Sequence, residues 1–580
     1  MDSLRRIAAE EEQLSGWPRR LLHIPSMTSL RWQPGNVYGD AKEPRYNILT
    51  YTWGRWRLED DDEHASEVES VAIAGVPWHI PKISPAHFTA DQFLSVIRSL
   101  SRPLGDHSML PGVPEVDFIW LDIACIDQRD DQPESAAEVG RQADIFRRAT
   151  RCFAWLSRTE ESDLLQSLDS MREALVDLKV PKKFLRVERR DGEILDTIIG
   201  ALKTVLQDPW FSSLWTLQEA FLRPDMYMLS RRGRTGLWEH DRHQMSLRES
   251  IRRLITDLEP RLYEPATDSG AAQKLRLILD LVTSAGLGTI FTLNIMAPYI
   301  ASTNRTTSRE EDRIYAIQQI FGFRLGSSAI GFSGRSFTLP ELRVQFAIEL
   351  LTVYPQQSQL FLHSKPVPVG TAWLPNSDSR IPTGIPPFTK ASRVFTADYN
   401  KAKDNTQPLC VLGIADIDGV TWATFTGQIS SWSDFQTMFT QEDQEQLHKQ
   451  FLFTVCLDAG DESDMALHKP STVYHCRGGE LPGLLSSSLA GVQAVVLLLG
   501  HYDTRSESGW NLLQPAAVGL ILKPYLESGN QRRYRRLGFC VWLQRLRFPP
   551  VIVDCDPEFL YSMERPASMA QWRVVSGLFG

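Results

Sequence analysis

Residues 118–128 read FIWLDIACIDQ, and the architecture of the first part of the chain turns on how this stretch is read. Phe118–Ile126 is apolar apart from Asp122. A nearly continuous apolar run suits a strand covered on both faces, as in a parallel sheet. The flanking segments keep the same rhythm. Tyr46–Trp53 is β-branched and aromatic and stops at Gly54, Cys152–Leu156 is a short apolar strand, and Met226–Leu229 adds another. Between them, Asp91–Leu100 puts Phe93, Leu94, Ile97 and Leu100 at helical spacing, and Glu134–Ala149 does the same with Ala136, Val139, Ala143 and Phe146. Further helices are expected at about 161–178 and 192–206 and at Ser212–Leu222. Val71–Ile73 and Val76–Ile80 flank Gly75 and predict a small hairpin.

Strands alternating with helices predict right-handed crossovers and a parallel sheet. Ligands of such sheets bind beyond the carboxyl ends of the strands, which places Thr52–Arg55 and Asp122–Gln128 on the binding edge.

The rest of the 580-residue chain changes texture twice. From residue 235 to about 355, apolar residues recur every three or four positions, as in Arg252–Leu258, Lys274–Leu281 and Leu342–Leu351, so this part reads as helical. Beyond about 360, short strands dominate. Val411–Ile417 and Val420–Phe425 flank Asp418-Gly419, a two-residue hairpin signal. Phe451–Cys456, Val492–Leu499, Val518–Leu522, Gly538–Leu543 and Val551–Val553 follow. The expected division is an extension over 1–45, an α/β domain over 46–232, a helical region over 233–358 and a β-rich domain over 359–580.

The net charge of -9 argues against a general nucleic-acid binder, which needs surplus Lys and Arg to neutralise phosphates. The opening residues carry three consecutive glutamates and no long apolar run, so no secretory signal is expected. The longest apolar stretch, Val492–Leu499, is too short to span a bilayer. Seven scattered cysteines fit reduced thiols and a cytoplasmic setting.

Strong catalytic signatures are missing: there is no G-x-x-x-x-G-K-[ST], H-E-x-x-H, G-x-S-x-G or paired C-x-x-C. His475-Cys476 lacks metal-ligand spacing, and no metal or cofactor is expected. Glu59–Glu63 reads as a charged surface loop. Arg532–Arg536 reads either as a phosphate contact or as a solvated strand edge. Asp122 must be paired or hydrogen-bonded inside its apolar run; it either faces a ligand or accepts from nearby backbone. Asp127 opens a polar loop and suits a turn. Glu219 lies one helical turn after Trp215, where it is partly desolvated; it serves a ligand or a structural ion pair.

Four segments resemble the heterokaryon incompatibility (HET) domain of filamentous fungi. Tyr46-Asn-Ile-Leu-Thr-Tyr-Thr-Trp-Gly54 is similar to Y-x-x-L-S-Y-x-W-G, with Thr50 for Ser. Ile119-Trp-Leu-Asp-Ile-Ala-Cys-Ile-Asp-Gln128 is similar to W-[IL]-D-x-x-C-I-[ND]-Q. Ile145-Phe-Arg-Arg-Ala149 followed by Phe153-Ala-Trp-Leu-Ser157 is similar to I-Y-x-x-A and a W-L-G strand, with Ser157 in place of glycine. Trp215-Thr-Leu-Gln-Glu219 is similar to W-x-x-Q-E. Gln142 stands where a methionine is common. Arg305–Tyr315 and Leu520–Phe539 resemble segments that often follow such domains.

The resemblance implies a parallel-sheet α/β domain of flavodoxin/TIR-like kind. It implies a role in non-self recognition and regulated cell death, exerted by self-association or by a protein partner. The motifs mark Tyr51, Trp53, Gly54, Asp122, Asp127, Gln128, Trp215 and Gln218 as candidate binding residues. HET domains look like distant relatives of Toll/interleukin-1 receptor (TIR) domains, and Ser213–Glu219 spaces Ser, Trp and Glu as NAD-cleaving TIR proteins do in S-x-W-C-x-x-E, with Thr216 for the Cys. That likeness implies a second reading, in which NAD is a substrate and Glu219 the catalytic residue, with Asp122 lining the ribose pocket and Trp53 stacking on a ring. A neutral nicotinamide leaving group needs no general acid, so one carboxylate near the ribose would suffice.

Overall fold

The structure is a computed structural model that describes residues 2–59, 61–62, 65–101, 115–129, 132–179, 191–234, 254, 258, 269–288, 294–329, 335–382, 406–440, 451–460, 471–477, 489, 491–505, 513–528, 531–543 and 572–580. The chain divides into two compact units, 1–291 with 301–342 and 394–397, and 292–300 with 343–393 and 398–580.

The first unit is built on one eight-stranded sheet. In chain order its strands are β1 (Arg20–His23), β2 (Thr28–Gln33), β3 (Val37–Tyr38), β4 (Ala41–Lys42), β5 (Tyr46–Thr50), β8 (Phe118–Trp120), β9 (Arg151–Trp155) and β10 (Tyr227–Leu229), while β6 (Arg57–Leu58) and β7 (Lys82–Ile83) form a separate small pair. The spatial order is β10-β9-β5-β8-β1-β2-β3-β4. β5 is parallel to both β8 and β9, and β9 is parallel to β10. The expected parallel sheet is therefore half of a mixed one. Residues ahead of Tyr46, expected as an extension, enter the same sheet: β1 pairs antiparallel with β8 through Leu22↔Ile119 and continues through β4. Buried charge holds that segment down. Arg19 N–H donates to Glu138 Oε1 at 2.8 Å, and Arg141 donates to the Trp17 carbonyl at 2.5 Å.

Within the parallel half, chain order and spatial order differ. Numbered by appearance, the four strands lie 2-1-3-4, a doubly wound order whose switch point falls between β5 and β9. All five residues of β5 are buried, as a central strand requires.

Several sequence expectations meet corrections here. The strand read over Phe118–Ile126 ends at Trp120, and Asp122–Cys125 forms one helical turn, closed by Ile126 N–H to the Asp122 carbonyl at 2.9 Å. A continuous apolar run carries no periodicity to separate buried strand from buried turn. The single helix read over Glu134–Ala149 is two, Pro133–Val139 and Gln142–Arg148. The break falls at Gly140 and Arg141, where the buried Arg141 side chain turns back to Trp17 and Glu138. The hairpin at Gly75 does not form: Ser29 N–H bonds the Ala74 carbonyl and Ala74 N–H the Met27 carbonyl, so this backbone pairs with the β1–β2 turn instead of with itself. The helix expected over Ser212–Leu222 begins at Trp215.

Other elements agree. Helices occupy Ala90–Ser99, with a Thr89–Gln92 capping box, as well as Glu161–Lys179, Asp191–Leu206, Ser269–Ser284, Asp312–Gln318 and Leu339–Val353. Most of Arg252–Leu258 and all of Val551–Val553 lie outside the described residues.

The second unit is β-rich. After the short β11 (Leu362–His363), β12 (Ser379–Arg380) and β13 (Thr406–Pro408) come β14 (Val411–Ile417), β15 (Val420–Ser431), β16 (Phe451–Leu457), β17 (Thr472–Arg477), β18 (Val495–Arg505), β19 (Leu513–Ser528), β20 (Gln531–Leu543) and β21 (Arg573–Phe579). The β14–β15 turn holds Asp418 and Gly419 at φ of 54° and 78°, the conformation a two-residue hairpin loop demands. Pairings β18–β15, β15–β21, β21–β20, β20–β19 and β19–β18 close a five-stranded barrel. It packs on Phe425, Leu497, Val518, Leu520, Phe539 and Phe579. Arg532–Arg536 is no strand edge, because it pairs with β19 along its length and Arg533 and Tyr534 also pair with β21. Arg536 is buried and donates to the Ala372, Gln359 and Phe361 carbonyls.

Among the described residues, no helix is long and apolar enough to cross a membrane. Five cysteines, Cys125, Cys152, Cys410, Cys456 and Cys540, are buried free thiols.

Candidate functional site

Where β5 emerges from the sheet, Thr50 is the first residue to present a polar group. Its hydroxyl donates a short hydrogen bond to Glu219 Oε2 and accepts one from Trp210 Nε1 at 2.9 Å. Trp210 sits in the 3-10 turn Pro209–Phe211, capped by Asp208 through Trp210 N–H at 3.0 Å. Glu219 comes from the helix Trp215–Leu222, so the chain returns from far away to lay a carboxylate over the end of the central strand.

Three residues on, Trp53 Nε1 donates to Asp122 Oδ2 at 2.6 Å, while Asp122 Oδ1 accepts Ile123 N–H at 2.7 Å. Asp122 thus accepts from neighbouring backbone through one oxygen, and its second oxygen is taken by the Trp53 indole. The Tyr51 ring packs on Phe88, Phe93 and Trp155, and its buried hydroxyl approaches Asp122 without a well-formed hydrogen bond.

Both carboxyls are crowded by protein yet keep some contact with solvent, as groups in a crevice do. Desolvation pushes Glu219 up to about 8; Asp122's negative charge adds to the rise, and the Thr50 hydroxyl and the Arg305 charge oppose it. At neutral pH Glu219 is therefore mostly protonated. Asp122 is raised too, by burial, against the Trp53 hydrogen bond. A raised carboxyl beside a second carboxyl is the pattern expected of two acids sharing one site.

Arg305 holds the assembly from below. Its guanidinium is fully buried and donates to the Ala285 carbonyl at 2.5 and 3.0 Å, the Ser213 carbonyl at 2.8 Å and Thr216 Oγ1 at 2.9 Å. Burial lowers its pKa to about 9, and the Glu219 charge pulls the other way. Thr216 Oγ1 in turn donates to the Trp210 carbonyl at 2.5 Å, which ties the helix start to the Trp210 turn. Nothing in the sequence marks Arg305 as a partner of Glu219 beyond its place in the Arg305–Tyr315 segment. Thr50 lies inside the first motif, yet its hydroxyl is not singled out there.

The other candidates divide. Gly54 is exposed at the start of the 3-10 turn Gly54–Trp56. Gln128 braces its own loop, donating to the Asp122 and Ile126 carbonyls at 2.9 and 2.8 Å. Asp127 is a turn residue paired with Arg129 at 2.5 Å. Gln218 faces the interior, bonded to Gln142 Oε1 at 2.7 Å and to Gln319 N–H at 3.2 Å. Trp215 donates to Asp312 Oδ2 at 3.2 Å, away from Asp122 and Trp53. Tyr51, Trp53, Asp122 and Glu219 therefore meet around the end of β5, while Asp127, Gln128, Trp215 and Gln218 support surrounding loops and helices.

Beyond the switch point between β5 and β9 lies a second group that no sequence motif marked. His87 stacks on Trp56 at 3.7 Å with rings 9° apart, and its Nε2 donates to the Thr52 carbonyl at 2.6 Å. Burial lowers His87 to about 4, helped by the charges of Arg158 and Arg55, so the imidazole is neutral. The guanidiniums of Arg55 and Arg158 lie 4.9 and 5.4 Å from the Trp56 ring centroid.

Among the described residues, no group of three or more His, Cys, Asp or Glu side chains is gathered to hold a metal ion. A cleft in the second unit, lined by Val367, Asp458, Arg535 and Arg536, is small, and Arg536 on its wall is already bound to backbone carbonyls. The carboxyl edge of the first sheet is the better candidate.

The geometry defines an α/β protein with two carboxyls, Asp122 and Glu219, at the carboxyl edge of its parallel strands. Residues 46–219 match the model of the family described as heterokaryon incompatibility protein (HET), so the chain carries a HET domain over that segment. No curated protein and no solved structure matches the chain.

Proposed function

We propose that this chain serves heterokaryon incompatibility and cell-death signalling in fungi, with the HET domain acting by self-association or by binding a protein partner. The observation that carries this reading is the HET match over residues 46–219, whose motifs supply the buried framework of a single rim: Thr50, Trp53, Asp122 and Glu219. Much of that rim is occupied by internal hydrogen bonds, which suits a surface that must hold a shape for a partner. The test is expression of the full chain in a filamentous fungus. Growth arrest or death on expression supports the reading, and normal growth at confirmed protein levels removes it.

A second reading, NAD cleavage, is favoured by one observation: Glu219 and Asp122 interact electrostatically at the ligand-binding edge of the sheet. Glu219 would stabilise an oxocarbenium-like transition state in its ionised form, so activity would rise with pH toward and above 8. Nicotinamide release from NAD by the purified chain separates the two readings. Toxicity without turnover leaves the partner-binding reading alone.

A further inference from the structure

We propose that Arg55 and Arg158, set over Trp56 at the switch point between β5 and β9, bind the phosphate groups of a nucleotide.

The site is assembled from three segments. Arg55 and Trp56 come from the loop after β5, Arg158 from the loop after β9, and His87 from the segment before the helix Ala90–Ser99. His87 stacks flat on the Trp56 indole, and the two guanidiniums lie over the same ring at 4.9 and 5.4 Å from its centroid. Arg55 is fixed in place: it donates to Thr306 Oγ1 at 2.7 Å, to Ser212 Oγ at 3.1 Å and to the Pro209 carbonyl at 3.3 Å. None of these partners is charged. Arg158 is exposed, and the nearby Asp208 carboxylate is turned toward backbone, accepting the N–H groups of Arg158 and Trp210 and the Thr159 hydroxyl. Two cations thus share one indole ring with no carboxylate bonded to either guanidinium among the described residues. Their repulsion shows in Arg55, which burial and the Arg158 charge hold below its ordinary value.

Like charges held together in this way are relieved by an anion, and a guanidinium fork matches phosphate oxygens. The location narrows the anion further. In doubly wound sheets of this strand order, phosphorylated nucleotide ligands bind at the switch point beyond the carboxyl ends of the strands. At the same edge, the Asp122 and Glu219 carboxyls, each holding one side-chain hydrogen bond, would accept sugar hydroxyls as well. A basic pair on one side and an acidic pair on the other suit the two ends of a nucleotide. Binding does not require Glu219 to cleave anything, so the proposal stands apart from the NAD-cleavage reading.

The test is calorimetric titration of the full chain, at fixed low ionic strength, with ADP, adenosine and inorganic pyrophosphate. ADP is expected to bind at least about tenfold more tightly than adenosine, and Arg158→Gln to weaken ADP by about tenfold, the loss expected for one charge-assisted contact. Arg158 is exposed, so the variant folds, and far-UV circular dichroism checks this. Arg129→Gln, which removes a charge elsewhere, is expected to bind ADP as the parent does. The proposal fails if the parent does not bind ADP, if adenosine binds as tightly, or if Arg158→Gln leaves ADP affinity unchanged. It fails equally if Arg129→Gln costs as much as Arg158→Gln, or if pyrophosphate alone matches ADP.

Discussion

The hydroxyl of Thr50 hydrogen-bonds the carboxyl of Glu219 across 169 positions of chain, and the same oxygen accepts the indole N–H of Trp210. One β-strand end thereby sets both the helix that carries Glu219 and the turn that precedes it. Replacing Thr50 by Val keeps the shape but leaves the Trp210 N–H without its acceptor. Stability to urea should fall by about 1–3 kcal/mol, the range for an orphaned buried polar group. Thr50→Ser, the residue common in the family motif, should retain most of it. Equal midpoints for Thr50→Val and the parent would show that the bond carries no weight.

Glu219 should make the fold more stable in acid than in mild base. Its folded pKa of about 8 lies above its ordinary 4.5, so between these values the native state holds a proton that the unfolded chain has lost. The contribution is complete below the ordinary value and disappears as pH rises through about 8. Glu219→Gln should flatten that part of the profile in thermal melts from pH 5 to 8.5. Asp122 is raised in the same direction, so some slope should remain.

Arg305→Met should cost about 1–3 kcal/mol, the range for buried polar groups left without a donor. The carbonyls of Ala285 and Ser213 lose their donor, and Glu219 loses the charge that lowers its pKa. The pH profile of the variant should therefore shift upward as well as lose stability. A change in urea midpoint with no movement of the profile would mean that Arg305 props the backbone and does not reach Glu219.

Trp53→Phe removes a single N–H from Asp122 while keeping an aromatic ring at the rim. Asp122 should titrate at still higher pH, because the Trp53 hydrogen bond favours its ionised form. Carboxyl chemical shifts followed by NMR through a pH series would read this directly, and an unchanged Asp122 titration would place the bond outside the energetics of the site.

In the second unit, Gly538→Ala should be damaging. Gly538 has φ of +144°, and a Cβ built there would stand 2.0 Å from the Cys456 carbonyl oxygen, which is backbone and cannot move aside cheaply. A loss of about 3 kcal/mol is expected, at the upper end for overpacking. Hydrogen exchange at Cys456 and Phe539, neighbours in the β16–β20 ladder, would report it, and unchanged protection would contradict it.

Much of this was legible along the chain because short-range pattern carries it. Helical spacing marked Ala90–Ser99 and Asp191–Leu206, a β-branched and aromatic run marked Tyr46–Thr50, a short apolar run marked the strand Arg151–Trp155, and Asp418-Gly419 announced its hairpin. The misreadings have a common cause. The turn Asp122–Cys125, the break at Gly140 and the unformed hairpin at Gly75 were each decided by distant groups: the Trp53 indole, the Trp17 carbonyl and the backbone of residues 27–29.

The sequence by itself determined many of the strands and helices from Tyr46 onward, that the first part is α/β, and that Tyr46–Gly54, Ile119–Gln128 and Trp215–Glu219 carry its motifs. Tertiary structure alone decided that Glu219 answers to Thr50 and Arg305, that Gln218 turns inward, and that Arg55 and Arg158 share one indole. The physical reason is range. Propensity and burial pattern act over a few residues and are written locally, whereas the pKa of a carboxyl or the partner of a guanidinium depends on charges and donors brought in from anywhere in the chain.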